Sequence, residues 1–277
     1  MCRIFGFRSV LDSRVHRSLL SAENALAVQS ERHPDGWGVS YYVGGSPHVI
    51  RSAGTALTDQ LFKRVSGIVT SQTVLAHIRK ATQGEISPLN CHPFQYGRWV
   101  MAHNGDVPAF PQVRDALLER IAPRFRRFLL GDTDSEVIFH LFLTHLAART
   151  DLTRRGTPVD QVVAALREAI RDVHEVMAAA EATEAPPLLT LVVTDGEILV
   201  GHQGGKELHY STWKTSCSER EGCPFLAREC EAPTESGYVN HLIVSSEPLL
   251  GENVWVRLEP GEIVSVDAFM RLARFAP

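Results

Sequence analysis

Short runs in which apolar and polar residues alternate recur along the chain, and a period of two marks half-buried strands. "RIFGF" at the start reads as a short strand. "WGVSYYV" places Trp37, Val39, Tyr41 and Val43 on one face. "TVLAHIR" does the same with Leu75, His77 and Arg79, and "RWVMAH" follows as another strand. Six further short strands are predicted late in the chain: "LLTLVVTD", "EILVGHQ", "ELHYST", "HLIVSS", "NVWVRL" and "EIVSVD". Helical spacing appears in three places. The first covers about Ser18 to Gln29. The second, "GDTDSEVIFHLFLTHLAAR", opens with Thr133 three residues before Glu136, a capping-box signature that puts Asp134 in the first turn. The third is the amphipathic "VDQVVAALREAIRDVHEVMAAA", which "EATEAPP" breaks. "HPDG" and "GGSP" are turn signals. Strands in runs, with a block of helices between them, predict an α+β fold of antiparallel sheets.

Composition narrows the class. A chain of 277 residues, 44% hydrophobic and 22% charged, can bury a sizeable core. No repeat or composition shift marks a linker, so one domain over 2–277 is expected. A net charge of -4 provides no basic footprint for nucleic acid. No apolar run approaches the roughly 18 residues of a membrane span, and the start does not read as a signal peptide. The expected location is the cytoplasm, where thiols stay reduced. The cysteine count of 5 is odd and argues against a complete disulfide framework.

Cys2 has two readings. It is either an ordinary buried residue of the first strand, or, once Met1 is removed, an N-terminal residue carrying both a thiol and a free α-amine. Cysteine is mostly thiol at neutral pH and needs a base. An α-amine, with an unperturbed pKa of roughly 7.7–8.0, is poised to be that base. Four segments favour the second reading: "HPDGWG" (33–38), "AHIRKATQG" (76–84), "NCHPF" with "AHNGDV" (90–94 and 102–107), and "DTDSE" (132–136). Together with Cys2, in this order and spacing, they resemble the class II glutamine amidotransferases, which are N-terminal nucleophile (Ntn) hydrolases. The motif-bearing resemblance covers about 2–145. The later strands, with "VSSEPL" at 244–249, look like the stand-alone branch of the family. That branch includes the γ-glutamyl hydrolase of ergothioneine synthesis and the fungal glutathione-degrading amidotransferase.

The resemblance implies a four-layer αββα sandwich of two antiparallel sheets flanked by helices. It also implies roles. Cys2 is the nucleophile. Asn104 and Gly105 form the oxyanion hole through a side-chain amide and a backbone N–H. Arg79 grips a substrate α-carboxylate, as suits a guanidinium fork, and Asp134 pairs with the α-ammonium. Thr82 and His92 lie in pocket-lining segments, and Asp35 and Gly36 match a turn beside the nucleophile. Plainer readings stand beside these. Arg79 could be a surface strand arginine, Asp134 a helix-terminus carboxylate, and Asn104–Gly105 a simple turn. His92 and His103 read as structural. Cys91 and His92 are neighbours on an extended segment and should point to opposite faces, which disfavours a dyad. Trp37, Trp99, Tyr41 and Tyr42 read as packing.

The implied reaction is hydrolysis of a γ-glutamyl amide through a Cys2 thioester, with no metal and no cofactor. One alternative is a glutaminase subunit that passes ammonia to a synthase partner; another is a non-catalytic binding protein on the same scaffold. Two positions depart from the family pattern. Lys80 follows Arg79 where many amidotransferases carry an aromatic residue, and "HPF" stands where some synthases have "HPH". The segment "KTSCSEREGCPFLAREC", with Cys217, Cys223 and Cys230, lacks clear periodicity. An insertion loop over about 214–233, bearing reduced thiols, is expected there, placed over the pocket mouth or against a partner.

Overall fold

The computed structural model describes residues 2–14, 19–20, 25–182, 184–217 and 220–277. Its strands are β1 (Arg3–Arg14), β2 (Trp37–Val43), β3 (Ser46–Ser52), β4 (Thr70–Ile78), β5 (Phe94–Tyr96), β6 (Trp99–Asp106), β7 (Leu188–Thr194), β8 (Leu199–His202), β9 (His209–Ser211), β10 (His241–Ser245), β11 (Val256–Arg257), β12 (Ile263–Val266) and β13 (Leu272–Phe275). Its helices are α1 (Leu26–Gln29), α2 (Gln60–Ile68), α3 (Phe110–Arg120), α4 (Pro123–Arg126), α5 (Asp134–Ala147) and α6 (Val159–Ala179). One sheet runs β11-β9-β10-β1-β4-β2-β3 and the other β13-β12-β8-β7-β6-β5. Every pairing is antiparallel.

Three buried clusters show the layering. Phe62 and Val65 of α2 and Leu26 of α1 cover Phe5, Phe7, Trp37, Val39, Ala76 and Ile78 of the first sheet. Ile4, Leu75 and Val244 meet Val100, Val192, Leu199 and Val264 between the two sheets. On the far side, α3, α5 and α6 cover Met101, Leu191, Val193 and Val200. The result is the expected four-layer αββα sandwich. Strand alternation does the sorting: Ile4 enters the inter-sheet core while Phe5 and Phe7 face the helices. Cys2 keeps the parity of Ile4 and therefore belongs to the gap between the sheets. Helix α5 is buried from Asp134 to Leu143 without a break, because the sheet and neighbouring helices enclose it.

Most predicted strands stand where the alternation puts them. "RIFGF" is only the start of β1, which runs on to Arg14. Part of the helical pattern over 18–29 lies outside the described residues, and α1 is its described end. Helix α2 carries a signal that escaped the reading: Leu61, Phe62 and Val65 at helical spacing, with Asp59 accepting from the Leu61 N–H at 2.8 Å as the N-cap. Among the described residues no helix is long and apolar enough to cross a membrane.

One close approach locks the site-bearing loop onto the first sheet. A Cβ added at Gly38 would lie 2.0 Å from the His92 carbonyl oxygen. A backbone atom cannot rotate away, so Gly38→Ala should destabilise the fold by about 2 kcal/mol or more. Urea denaturation measures this, and a variant as stable as the parent would show that β2 and the His92 segment are not so closely apposed.

Candidate active site

The register of β1 against β4 places the first candidate residues. Arg3 pairs with Ile78, so Cys2 stands level with Arg79 at one end of the inter-sheet gap. The Cys2 thiol is clasped by one residue's backbone: Sγ accepts from the Lys80 N–H at 3.3 Å and donates to the Lys80 carbonyl at 3.4 Å. Burial pushes the thiol pKa up, while the Lys80 hydrogen bond and the Arg79 charge pull it back and Asp134 adds to the rise. The resting group is a thiol, and a nucleophile there needs a base. Met1, whose removal would free the Cys2 amine, lies outside the described residues.

Arg79 is 2% exposed. Its guanidinium donates to the carbonyls of Gln83 (2.8 Å), Glu85 (3.0 Å) and Gly84 (3.3 Å), so the loop after it curls around the charge. Among the described residues no carboxylate forms an ion pair with it. The turn at Asp35–Gly36 is zipped alongside: Arg79 N–H donates to Gly36 O at 2.7 Å, Asp35 N–H to Arg79 O at 3.2 Å, and the Asp35 carboxylate accepts from Ala81 N–H at 2.9 Å.

Asp134 opens α5. Its carboxylate accepts from Val107 N–H (2.8 Å), Ser135 N–H (2.7 Å) and the Ser135 hydroxyl (3.0 Å). Burial nevertheless raises its pKa, with the His103 charge and the Val107 hydrogen bond opposing. The capping box is only half made. Thr133 accepts from Glu136 N–H at 3.2 Å, but the Glu136 carboxylate reaches beyond the N-cap to the N–H groups of Leu130 (3.0 Å) and Gly131 (2.7 Å). Asn90 ties this loop to its neighbour, donating to Asp132 Oδ1 at 2.5 Å and to the Glu85 carbonyl at 3.0 Å.

Asn104 and Gly105 are not a turn. They lie within β6, opposite Thr190 and Leu189. The Asn104 amide donates to Ser246 Oγ at 3.2 Å, and that hydroxyl also accepts from Ile4 N–H at 3.0 Å, so the amide is fixed to the first residues of β1. Leu189 turns its N–H to Gly204 at 2.6 Å. By antiparallel geometry, Gly105 then directs its own N–H away from β7. Strand β5 ends opposite Met101, so among the described residues no strand flanks that edge of β6 at Gly105. Only glycine fits, because a Cβ would lie 1.7 Å from the Leu188 carbonyl oxygen.

Two histidines, His92 and His103, form the floor, and His77 packs against His92. His77 Nε2 donates to the His103 carbonyl at 3.1 Å. His103 Nε2 donates to Leu188 O at 2.8 Å, and its Nδ1 meets the Ser135 hydroxyl at 2.8 Å, which links His103 to Asp134 through Ser135. The His92 ring sits 4.1 Å from that of His77, centroid to centroid, with both nitrogens buried and without partners. Cys91 instead donates to Ser52 O (3.4 Å) and Ser87 O (3.3 Å) and points away from His92.

One pocket gathers Cys2, Arg79, Thr82, His92, Gly105 and Asp134. Asn104 stands behind it rather than among the residues of its wall. Lys80, the departure from the family pattern beside Arg79, also lines it, as do Gln83, His103 and Ser135, which the motif spacing does not place there. Gln83 is held across the mouth by a 3.2 Å bond to Asp106. A signal for Lys80 and Gln83 was present in their adjacency to Arg79 and Thr82. Ser135 and His103 meet only through tertiary contact. None of the described residues of the 214–233 loop lines the pocket; Ser218 and Glu219 lie outside the described residues. That loop folds back on itself, with Lys214 N–H on Cys230 O at 2.9 Å, and its three cysteines are free. Among the described residues no cluster suited to a metal ion occurs.

The family model "Glutamine amidotransferases class-II" matches residues 1–271. The chain belongs to the class II glutamine amidotransferases. This amidotransferase is 31% identical over 224 residues to the Saccharomyces cerevisiae protein named probable glutamine amidotransferase DUG3. The alignment takes in 72% of this chain and 62% of the yeast protein. A gamma-glutamyl-hercynylcysteine sulfoxide hydrolase of Mycobacterium tuberculosis is 35% identical over 117 residues, 39% of this chain and 50% of that one. In fold, the amidotransferase superposes on a glutamine aminotransferase class-II domain protein from Silicibacter pomeroyi with a TM-score of 0.69 at 23% identity, over 100% of both chains. It also superposes on the glutamine phosphoribosylpyrophosphate amidotransferase of Bacillus subtilis, with a TM-score of 0.60 at 13% identity, over 99% of this chain and 49% of that one.

The buried histidines should make the fold less stable in acid. Burial lowers the pKa of His77 to about 3, and His92 also falls well below the ordinary value. An unfolded histidine takes its proton near pH 6.5, whereas the folded one stays neutral, so stability falls as pH drops from about 6.5 toward 4. Each such histidine contributes a slope of up to about 1.4 kcal/mol per pH unit in that window. His77→Asn should flatten the dependence of unfolding free energy on pH between 6 and 4.5. An unchanged slope would mean that His77 titrates alike in both states.

Proposed function

We propose that this amidotransferase hydrolyses a γ-glutamyl amide bond, with Cys2 as the nucleophile. The observation that carries the reading is the meeting of a thiol, a guanidinium lacking a carboxylate partner, a buried carboxylate and an unflanked strand edge in one pocket. They come from four separate stretches of chain. Family membership supports the same reading.

In this reading Arg79 binds the α-carboxylate of the glutamyl group and Asp134 its α-ammonium. Bound charges also relieve the desolvation that raises the Asp134 pKa. Thr82 and His92 line the space between them. Removal of Met1 leaves the Cys2 α-amine as general base. The amine accepts the thiol proton as Sγ attacks the γ-carbonyl carbon. Negative charge on the carbonyl oxygen is stabilised by Gly105 N–H and by the second N–H of the Asn104 amide, whose first is held by Ser246. Such donors contribute roughly 3 kcal/mol each. Collapse of the intermediate breaks the C–N bond, and the proton passes to the departing nitrogen. Water then adds to the γ-glutamyl thioester, and glutamate leaves with the thiol restored.

A second reading has the leaving ammonia taken up by a synthase partner. Exposed apolar side chains on the two loops that Asn90 joins beside the mouth favour it: Ile86, Leu89 and Leu130.

The test is glutamate release from glutamine, glutathione, γ-glutamyl amines and γ-glutamyl sulfur metabolites, using protein whose intact mass shows Met1 absent. At least one compound should be turned over, and Cys2→Ala should lower the rate by about 1000-fold or more, roughly 4 kcal/mol of transition-state stabilisation. Residual activity within tenfold of the parent removes Cys2 as nucleophile. A substrate acetylated on its α-nitrogen should lose at least about tenfold in kcat/KM, because Asp134 then faces no cation. Equal efficiency on both forms rules out the Arg79–Asp134 clamp.

A further inference from the structure

We infer that Lys80 is a specificity-determining residue for the departing half of the substrate. It reads a carboxylate on the leaving amine, so that γ-glutamyl amino acids and peptides are preferred to amides without that charge. The inference rests on the hydrolase reading above and adds the chemical class of the leaving group.

The argument starts from the clasp on Cys2. Because both the N–H and the carbonyl of Lys80 touch Sγ, at 3.3 Å and 3.4 Å, this residue lies beside the bond to be broken. Arg79 precedes it on a segment paired in an extended manner with Asp35 and Gly36. Successive side chains on an extended segment point to opposite sides. Arg79 is turned into the closed side of the pocket, where the 83–85 carbonyls hold it. Lys80 is therefore turned to the open side, and it is exposed while still lining the pocket. The two cations flank the nucleophile, one toward the acyl group and one toward the departing nitrogen.

Two groups near Cys2 do not supply this charge. Arg3 is paired with Glu247 and donates to the Cys2 carbonyl at 3.3 Å. His33 is buried and stays neutral at working pH, its pKa lowered to about 4 by burial first and then by Arg3 and other cations including Lys80. Among the described residues Lys80 has no ion-pair partner. An ammonium on a flexible stem, unneutralised and next to the scissile bond, is a receptor for an anion on the substrate. In a γ-glutamyl amide the anion within reach is the α-carboxylate of the amino acid joined to the γ-carbonyl.

The experiment compares kcat/KM for γ-glutamyl-alanine, for its C-terminal amide, and for glutamine, in the parent, Lys80→Ala, Lys80→Arg and Lys80→Glu. The parent should favour the acid over the amide by about fivefold at low salt, the effect of one solvent-accessible charge pair. That ratio should fall toward one at high ionic strength. Lys80→Ala should bring it to about one, Lys80→Arg should retain it, and Lys80→Glu should invert it. Circular dichroism and intact mass confirm that each variant is folded and mature. Turnover with equal efficiency on acid and amide in the parent overturns the inference and leaves the hydrolase reading intact. Loss of both substrates in equal measure in Lys80→Ala also overturns it, because the side chain would then serve the clasp on Cys2 alone. No turnover of any of the three compounds by the mature parent overturns this inference and counts against the hydrolase reading on which it rests.

Discussion

The antiparallel pairing of β1 with β4 is the constraint on which the site depends. It brings Cys2 level with Arg79 and delivers the Lys80 backbone to both sides of the thiol. A slip of one residue would move Cys2 to the helix-facing side and Phe5 into the inter-sheet gap. Such a slip is opposed from two directions, because β1 is also paired with β10 and Ser246 bonds to Ile4 through both its backbone and its hydroxyl. The residue that orients Asn104 is therefore part of the lock that sets the register of Cys2.

Electrostatically the pocket is a cation and an anion without each other. Arg79 is solvated by carbonyls, and the Asp134 carboxylate by N–H groups and a hydroxyl. Neutral dipoles keep each charge tolerable in the interior without cancelling it. In the proposed reading, a ligand carrying a carboxylate and an ammonium would complete both. Burial keeps His77 and His92 neutral, so neither adds a positive charge to the site. The Ser135 hydroxyl has a single hydrogen and two acceptors in reach, His103 Nδ1 and Asp134 Oδ1, so it couples the floor to the carboxylate.

Much of this was legible in the chain. Period-two alternation located most of the strands, and the Thr133 signature located the start of α5, because strand pleat and helix capping are local physics. The motif spacing singled out Cys2, Thr82, Arg79, His92, Asn104, Gly105 and Asp134, and all of them but Asn104 line the pocket, while the Asn104 amide is tied to Ser246. Where the local reading erred, tertiary context was the cause. Asn104–Gly105 has the composition of a turn but is held as a strand by β7. Glu136 has the spacing of a capping box but finds the N–H groups of Leu130 and Gly131, because the preceding loop curls over the helix start.

The sequence by itself determined the α+β class, which follows from periodicity, and the family with the layered sandwich it implies, which follow from the order and spacing of the motifs. Only the tertiary structure decided which of the candidate groups share one pocket and which are already engaged. Those facts depend on contacts between segments 30 to 140 residues apart, such as Ser135 with His103 and Asn104 with Ser246. No local pattern encodes such contacts. They arise when burial of three apolar layers brings distant strands and loops together.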